Sequence, residues 1–110
     1  MRLGDRRKNN RFACTHPVRY AYGDAPLRFG LLNDISSGGV LLATHEPVPD
    51  DVSIRLVVHD LRTKSDVDIL GNVRRRGEDL AYGIAFIEMS NEALELINDF
   101  LTVAKAQTTE

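Results

Sequence analysis

Apolar and polar side chains alternate along most of the first 88 residues, and this period of two is typical of half-buried β-strands. The first segment shows it most clearly, because one predicted face carries Phe12, Cys14, His16, Val18, Tyr20 and Tyr22. Pro17 lies on the other face and has no amide donor, so we expect a sheet edge or an irregularity there. A chain with this pattern is constrained to bury sheet faces.

Turn residues divide the alternating region into six predicted strands. Residues 23–26 and 36–39 supply turn chemistry, and Gly71 is suited to a bend or bulge. In the run over 27–35 we expect four side chains to point inward together: Leu27, Phe29, Leu31 and Ile35. So many short strands in so short a chain favour a small barrel, which buries the sheet faces and removes exposed edges.

The period changes at Ser90, a good N-cap, and a helix is predicted over about 90–105. Its apolar stripe is predicted to consist of Leu94, Ile97, Leu101 and Ala104, widened by Phe100. We therefore expect one domain over 12–106, preceded by a flexible arm over 1–11 and followed by a frayed tail over 107–110.

The formal net charge of −2 conceals an asymmetry. Residues 1–11 have a local charge of +4, and the remaining 99 residues carry 9 basic and 15 acidic side chains. This balance excludes a uniformly basic nucleic-acid coat protein. A barrel that binds single strands is also disfavoured, because only 6% of residues are aromatic and none is Trp. No DNA or RNA partner is expected.

Signals for catalysis and for a metal are weak. The three histidines, His16, His45 and His59, are far apart and lack a metal-ligand spacing, and no nucleophile elbow or phosphate-binding loop is present. We predict no enzyme activity, no metal and no cofactor. The single cysteine, Cys14, cannot form an internal disulfide, and its predicted position on an apolar strand face favours an inert thiol. No apolar run approaches the roughly 20 residues of a membrane-spanning helix, so a cytoplasmic location without membrane insertion is expected.

Two segments are suited to binding an anionic nucleotide. Arg7 and Arg11 stand four residues apart, and guanidinium groups bind phosphates, guanine edges and purine faces. Asp34 and Ser36 can meet a guanine edge, and Gly38 and Gly39 admit close backbone approach. The alternatives are a solvated basic tail and a turn whose polar side chains satisfy local backbone groups.

Together these segments resemble the PilZ domain family, which is recognised by Arg-x-x-x-Arg and Asp/Asn-x-Ser-x-x-Gly motifs. Arg7 and Arg11 match the first motif, and Asp34, Ser36 and Gly39 match the second. The resemblance covers nearly the whole chain, through 71–74 and 82–86 to the predicted helix.

The resemblance implies a six-stranded antiparallel barrel that binds cyclic di-GMP, singly or as an intercalated dimer. Arg7 and Arg11 would bind the phosphates and the guanines. Asp34 and Ser36 would bind the edge of a guanine, and the backbone of Gly38-Gly39 would pack beneath that guanine. Arg6 would add a contact and favours the ligand dimer.

A second basic cluster, at residues 74–76, is either a solvated strand end or a further ligand or partner contact through Arg74 or Arg76. The implied role is a stand-alone receptor whose arm orders over the barrel and signals to an unidentified effector protein. The alternative is a PilZ-like protein-interaction adaptor that no longer binds nucleotide.

Overall fold

The computed structural model describes residues 12–76 and 79–108. Within them the chain forms six strands and one helix: β1 (Phe12–Tyr22), β2 (Arg28–Ile35), β3 (Gly39–Ala43), β4 (Ser53–Asp60), β5 (Ser65–Arg76), β6 (Ala81–Glu88) and α1 (Asn91–Thr108). All neighbouring strands pair antiparallel and close into a barrel in the order β1-β2-β3-β6-β5-β4. The predicted six-stranded antiparallel barrel with a C-terminal helix is confirmed.

The barrel interior is filled by alternate side chains from all six strands. The largest fully buried ones include Tyr20, Leu42, Leu56, Ile69 and Tyr82. The loop after β3 also enters this core, because Val48 is buried and its backbone N–H donates to the Tyr82 hydroxyl over 3.0 Å. A loop without strand or helix structure is thereby fixed to the barrel.

Strand β2 turns the opposite face inward from the one we predicted. Phe29 is 71% exposed and Leu27 and Leu31 are also exposed, whereas Gly30 and Leu32 are buried; only Ile35 lies inside as expected. Directly paired residues share a face of the sheet, and the inward-facing Val18 of β1 is paired with Gly30. A Cβ at Gly30 would lie 3.3 Å from the Tyr20 ring, so large neighbours already fill this part of the interior. A bulge between Leu32 and Asp34 restores Ile35 to the core.

Irregularities in two other strands agree with the sequence. Pairing of β1 with β2 shifts between Ala13 and His16, next to Pro17, and β4 pairs with β1 only from Arg19 onward. Pro17 therefore needs no amide donor toward β4. Strand β5 shifts register between Leu70 and Gly71, where a bulge was predicted.

Helix α1 begins as predicted and continues further. The Ser90 hydroxyl accepts the Ala93 N–H at 3.1 Å, which confirms Ser90 as the N-cap. The helix extends to Thr108, so the predicted tail is helical over its first two residues. Leu94 is 46% exposed and does not belong to the buried stripe, which consists of Ala93, Leu96, Ile97, Leu101 and Ala104. The small Ala93 lets the helix lie close to the barrel, and this orientation turns Leu94 outward.

Candidate functional site

The candidate site is centred on the turn between β2 and β3, which carries the predicted motif from Asp34 to Gly39. Ser36 N–H donates to the Gly39 carbonyl at 2.9 Å and closes the hairpin. The Ser36 hydroxyl donates to the same carbonyl at 3.3 Å and accepts the Gly38 N–H at 3.2 Å. At 4% exposure, Ser36 is one of the few buried polar residues, and its hydroxyl holds the turn in shape.

The two glycines fix this turn against β6. The Phe86 N–H donates to the Gly38 carbonyl at 3.0 Å. Gly39 pairs with Ala85, and a Cβ at Gly39 would overlap the Ile84 carbonyl oxygen. No side chain fits at position 39 unless the backbone of β3 moves away from β6. The motif glycine is therefore required by the barrel itself, whatever binds outside it.

Asp34 is the motif residue with a carboxylate available at the surface. It is half-buried, and its side chain makes no hydrogen bond or ion pair with any residue in the part of the chain that is described. The Asp34 carboxylate also acts on Cys14. Burial raises the pKa of the Cys14 thiol, and the negative charge of Asp34 raises it further. Cys14 is half-buried and neutral at pH 7, in agreement with the predicted inert thiol.

The register of β1 and β2 links the turn to the N-terminal segment. Ala13 is the register partner of Asp34, and Phe12 is the partner of Ile35. The residue that follows Arg11 in the chain is therefore directly opposite the second motif. Arg6, Arg7 and Arg11 themselves lie outside the described residues. Their contacts stay a prediction.

Arg74 lies two strands away from the turn, across β6. The β5–β6 register places Val73 opposite Ile84, which pairs on its other side with Val40 of β3. Arg74 is exposed and occupies the bulge between Val73 and Arg75. That bulge interrupts the regular alternation of side chains along β5. Adjacent strands are about 4.8 Å apart, so the strand that carries Arg74 lies about two such spacings from β3.

A second polar cluster, which sequence reasoning missed, joins α1 to the turn between β4 and β5. Asp60 is buried and accepts the Arg62 N–H at 2.9 Å, and the Arg62 guanidinium contacts Asp60 at 3.3 Å and Asp99 at 2.7 Å. Burial raises the pKa of Asp60, but the hydrogen bonds and charge of Arg62 outweigh it and hold that pKa below its usual value. Asp60 and Asp99 are 39 residues apart, so no sequence spacing indicated the pair.

Clusters of metal-binding side chains and membrane-spanning helices are absent from the described residues. No group of His, Cys, Asp or Glu side chains there could hold a metal ion. Among the same residues, no helix is both long enough and apolar enough to cross a bilayer.

Comparison with known proteins agrees with this geometry. The family model of the PilZ domain matches residues 5–102. The PilZ domain of CeSA from a cellulose-synthesizing bacterium superposes with a TM-score of 0.61 at 14% identity, covering 91% of this chain and 99% of that one. The PilZ domain of YcgR from Escherichia coli, solved with c-di-GMP, gives 0.70 at 11% identity, with 93% of each chain covered.

The Bacillus subtilis inhibitor of motility MotI/DgrA gives a TM-score of 0.69 at 17% identity. The match covers 94% of this chain but 53% of that protein, so this chain spans about half its length. A search of curated proteins found no match. The family model spans both predicted motifs and all six strands, and the chain belongs to the PilZ domain family.

Proposed function

We propose that this chain is a non-catalytic receptor that binds cyclic di-GMP between its N-terminal arginines and the Asp34–Gly39 turn. The observation that carries the proposal is the register of β1, which begins at Phe12 opposite Ile35 and next to Asp34. The described part of β1 therefore begins opposite the second motif, and Arg11 directly precedes it in the chain, although 22 residues separate Arg11 from Asp34. The YcgR PilZ domain with c-di-GMP supports the choice of ligand.

Asp34 would read the guanine. An ionised carboxylate accepts two hydrogen bonds side by side, and the Watson–Crick edge of guanine offers N1–H and the exocyclic amine. Adenine presents no such pair of donors. Because Asp34 has no competing partner among the described residues, its carboxylate is available for this pairing.

Ser36, Gly38 and Gly39 would form the floor beneath that guanine. The Ser36 hydroxyl fixes the turn, and in the proposal it also contributes to the guanine edge. Gly38 presents backbone with no side chain in the way of a planar base. Gly39 lets β3 approach β6 closely enough to keep this surface flat.

Arg7 and Arg11 would bind the phosphates and guanine faces or edges, and Arg6 would add a contact that favours an intercalated ligand dimer. The negative charge of the ligand would draw residues 1–11 across the barrel and present a new surface to an effector protein. Arg74, two strands from the turn, would meet the far side of a ligand dimer. Arg76 stays a weaker candidate for the same contact.

The rest of the proposal is a cytoplasmic receptor that acts through an effector protein without chemistry of its own. PilZ domains are generally non-catalytic receptor or adaptor domains. The competing function is an adaptor that keeps the barrel and no longer binds nucleotide. The intact second motif favours the receptor, as does the lack of a partner for the Asp34 side chain among the described residues.

Calorimetric titration of the full chain with cyclic di-GMP tests the proposal. We expect saturable binding, with a stoichiometry of one for a single ligand and two for an intercalated dimer. Cyclic di-AMP serves as the control for the guanine edge. Absence of detectable heat at high micromolar cyclic di-GMP would contradict the receptor function and favour the adaptor.

A further inference from the structure

An open groove lies between α1 and the turn that joins β4 to β5, and the described residues that line it belong to neither motif. Its volume is about 340 Å³. Leu96 and Phe100 of α1 form the floor, and Leu61 and Val103 form the two rims. Volumes of about 300–1,000 Å³ are typical of sites that enclose a ligand or the side chains of a partner.

The rims expose apolar side chains that the barrel core does not use. Leu61 is 74% exposed at the tip of the turn, and Val103 is 55% exposed on the helix. The Phe100 ring is held in place by His16 of β1, with ring centroids 4.7 Å apart. Exposure of an apolar floor and apolar rims to water is unfavourable. Covering them with another apolar surface would lower the free energy.

The charged cluster centred on Arg62, at this groove, carries a net negative charge. Asp60 and Asp99 share the single guanidinium of Arg62, and the Glu95 carboxylate also acts on that guanidinium. On the other side, His59 contacts Asp66, whose carboxylate is paired with Arg19. Within the Arg62 cluster, three carboxylates thus act on one guanidinium group. A basic partner is attracted to such a surface, whereas an acidic one is repelled.

The Arg62 bridge makes this groove a fixed site. It links the turn, through Asp60, to the helix, through Asp99, and so connects the two walls of the groove. A groove that exists before binding does not require the partner to order its walls.

We propose that this groove binds a basic amphipathic helix of a partner protein, with apolar side chains inserted over Leu96 and Phe100 and lysines or arginines facing Glu95 and Asp99. Helices commonly bind in this way along an apolar groove. The proposal does not depend on nucleotide binding, since it uses no residue of either PilZ motif.

The test is a titration of the full chain, without nucleotide, against a fluorescent 14-residue peptide of leucines and lysines at helical spacing. A peptide of the same pattern with glutamate in place of lysine is the charge control. We expect saturable one-to-one binding of the Leu–Lys peptide, much weaker binding of the Leu–Glu peptide, and methyl NMR shifts at Leu61, Leu96 and Val103.

Two matched substitutions locate the binding surface on α1. Val103→Lys removes an apolar rim and adds repulsion, and we expect at least about tenfold weaker binding, corresponding to about 1.4 kcal/mol. Leu94→Lys makes the same kind of change at an exposed leucine that does not line the groove, and we expect affinity within about twofold of the parent.

Three results would overturn the proposal. The first is equal binding of both peptides, and the second is an equal effect of Val103→Lys and Leu94→Lys. The third is self-association of the chain that Val103→Lys abolishes, because a second copy would then be the occupant.

Discussion

Ala13 and Asp34 are register partners across β1 and β2, so the start of β1, which follows residues 1–11 in the chain, lies opposite the motif turn. Neither strand alone could create the site. Residues 1–11 carry the positive charge, and the turn after β2 carries the carboxylate that can distinguish guanine. The register places the start of β1 opposite that turn, and we therefore expect changes at the turn and in the arm to affect the same binding event.

Asp34→Ala is expected to relax base specificity more than it weakens phosphate binding. The carboxylate is the group that can pair with the guanine edge, whereas the arginines bind phosphate regardless of base. Competition titrations with cyclic di-GMP and cyclic di-AMP would measure the ratio of the two dissociation constants. Asp68→Ala is a matched control, because it removes an exposed carboxylate that pairs with Arg55 on another part of the barrel. Unchanged discrimination in Asp34→Ala would contradict the assigned role.

Gly39→Ala is expected to destabilise the barrel by about 1–3 kcal/mol, because the added methyl would overlap the backbone of Ile84. Urea denaturation of both proteins would measure the difference in free energy of unfolding. Gly23→Ala is a useful comparison, since nothing lies within 4 Å of a Cβ there and only the positive φ of 58° opposes the change. If Gly39→Ala cost no more than Gly23→Ala, the close approach of β3 to β6 would not be needed for stability.

Tyr82→Phe is expected to cost about 1–3 kcal/mol, because it leaves the buried Val48 N–H without an acceptor. The loss of stability should also be visible locally, as faster hydrogen exchange of the Val48 backbone N–H. Tyr22→Phe removes a hydroxyl from a half-buried residue, and that hydroxyl makes no hydrogen bond to the described residues. This substitution should leave the free energy of unfolding nearly unchanged. Equal stabilities of the two variants would rule out a structural role for the Tyr82 hydroxyl.

Lowering the pH below about 6.5 is expected to weaken the packing of α1 on β1. Burial lowers the pKa of His16, so the folded state disfavours its charged form, while the unfolded chain gains the proton at about pH 6.5. Above pH 6.5 the His16 side chain does not reduce the free energy of unfolding. That free energy falls as the pH drops from 6.5 toward the pKa of His16 in the folded state, and below the folded pKa the contribution of His16 no longer changes. Thermal unfolding of the parent and His16→Gln from pH 7.5 to 5 would test this, with a flatter profile expected for the variant. Parallel profiles would assign the pH dependence to other groups.

The fold could be predicted because alternation, turn residues and the N-cap all agree along the chain. Strand β2 shows where that agreement ends: Leu31 and Leu32 are adjacent, so either face could be the apolar one. The choice was decided by the pairing of Gly30 with Val18 and by the size of Tyr20, which are contacts between strands. Similarly, Leu94 fits the helical spacing, but the approach of Ala93 to the barrel turns it outward.

The candidate site was predictable to the extent that it depends on local motifs. The turn from Asp34 to Gly39 is a contiguous segment, so its residues lie together, but the Ser36 hydroxyl is buried and bonded within the turn, as in the alternative of a turn that satisfies its own backbone groups. The Asp60–Arg62–Asp99 bridge and the groove beside it depend on how α1 packs on the barrel. No periodicity within one segment carries that information.

The central claim is that the arm arginines and the turn bind cyclic di-GMP together, and calorimetry on three arginine variants tests it most directly. Arg7→Ala and Arg11→Ala remove motif arginines, whereas Arg2→Ala removes an arginine of the same arm outside the motif. We expect saturable binding by the parent and by Arg2→Ala, and at least about tenfold weaker binding by each motif variant, the loss of about 1.4 kcal/mol or more expected for a charge-assisted contact. Equal affinities for all four proteins, or no binding by the parent, would contradict the account.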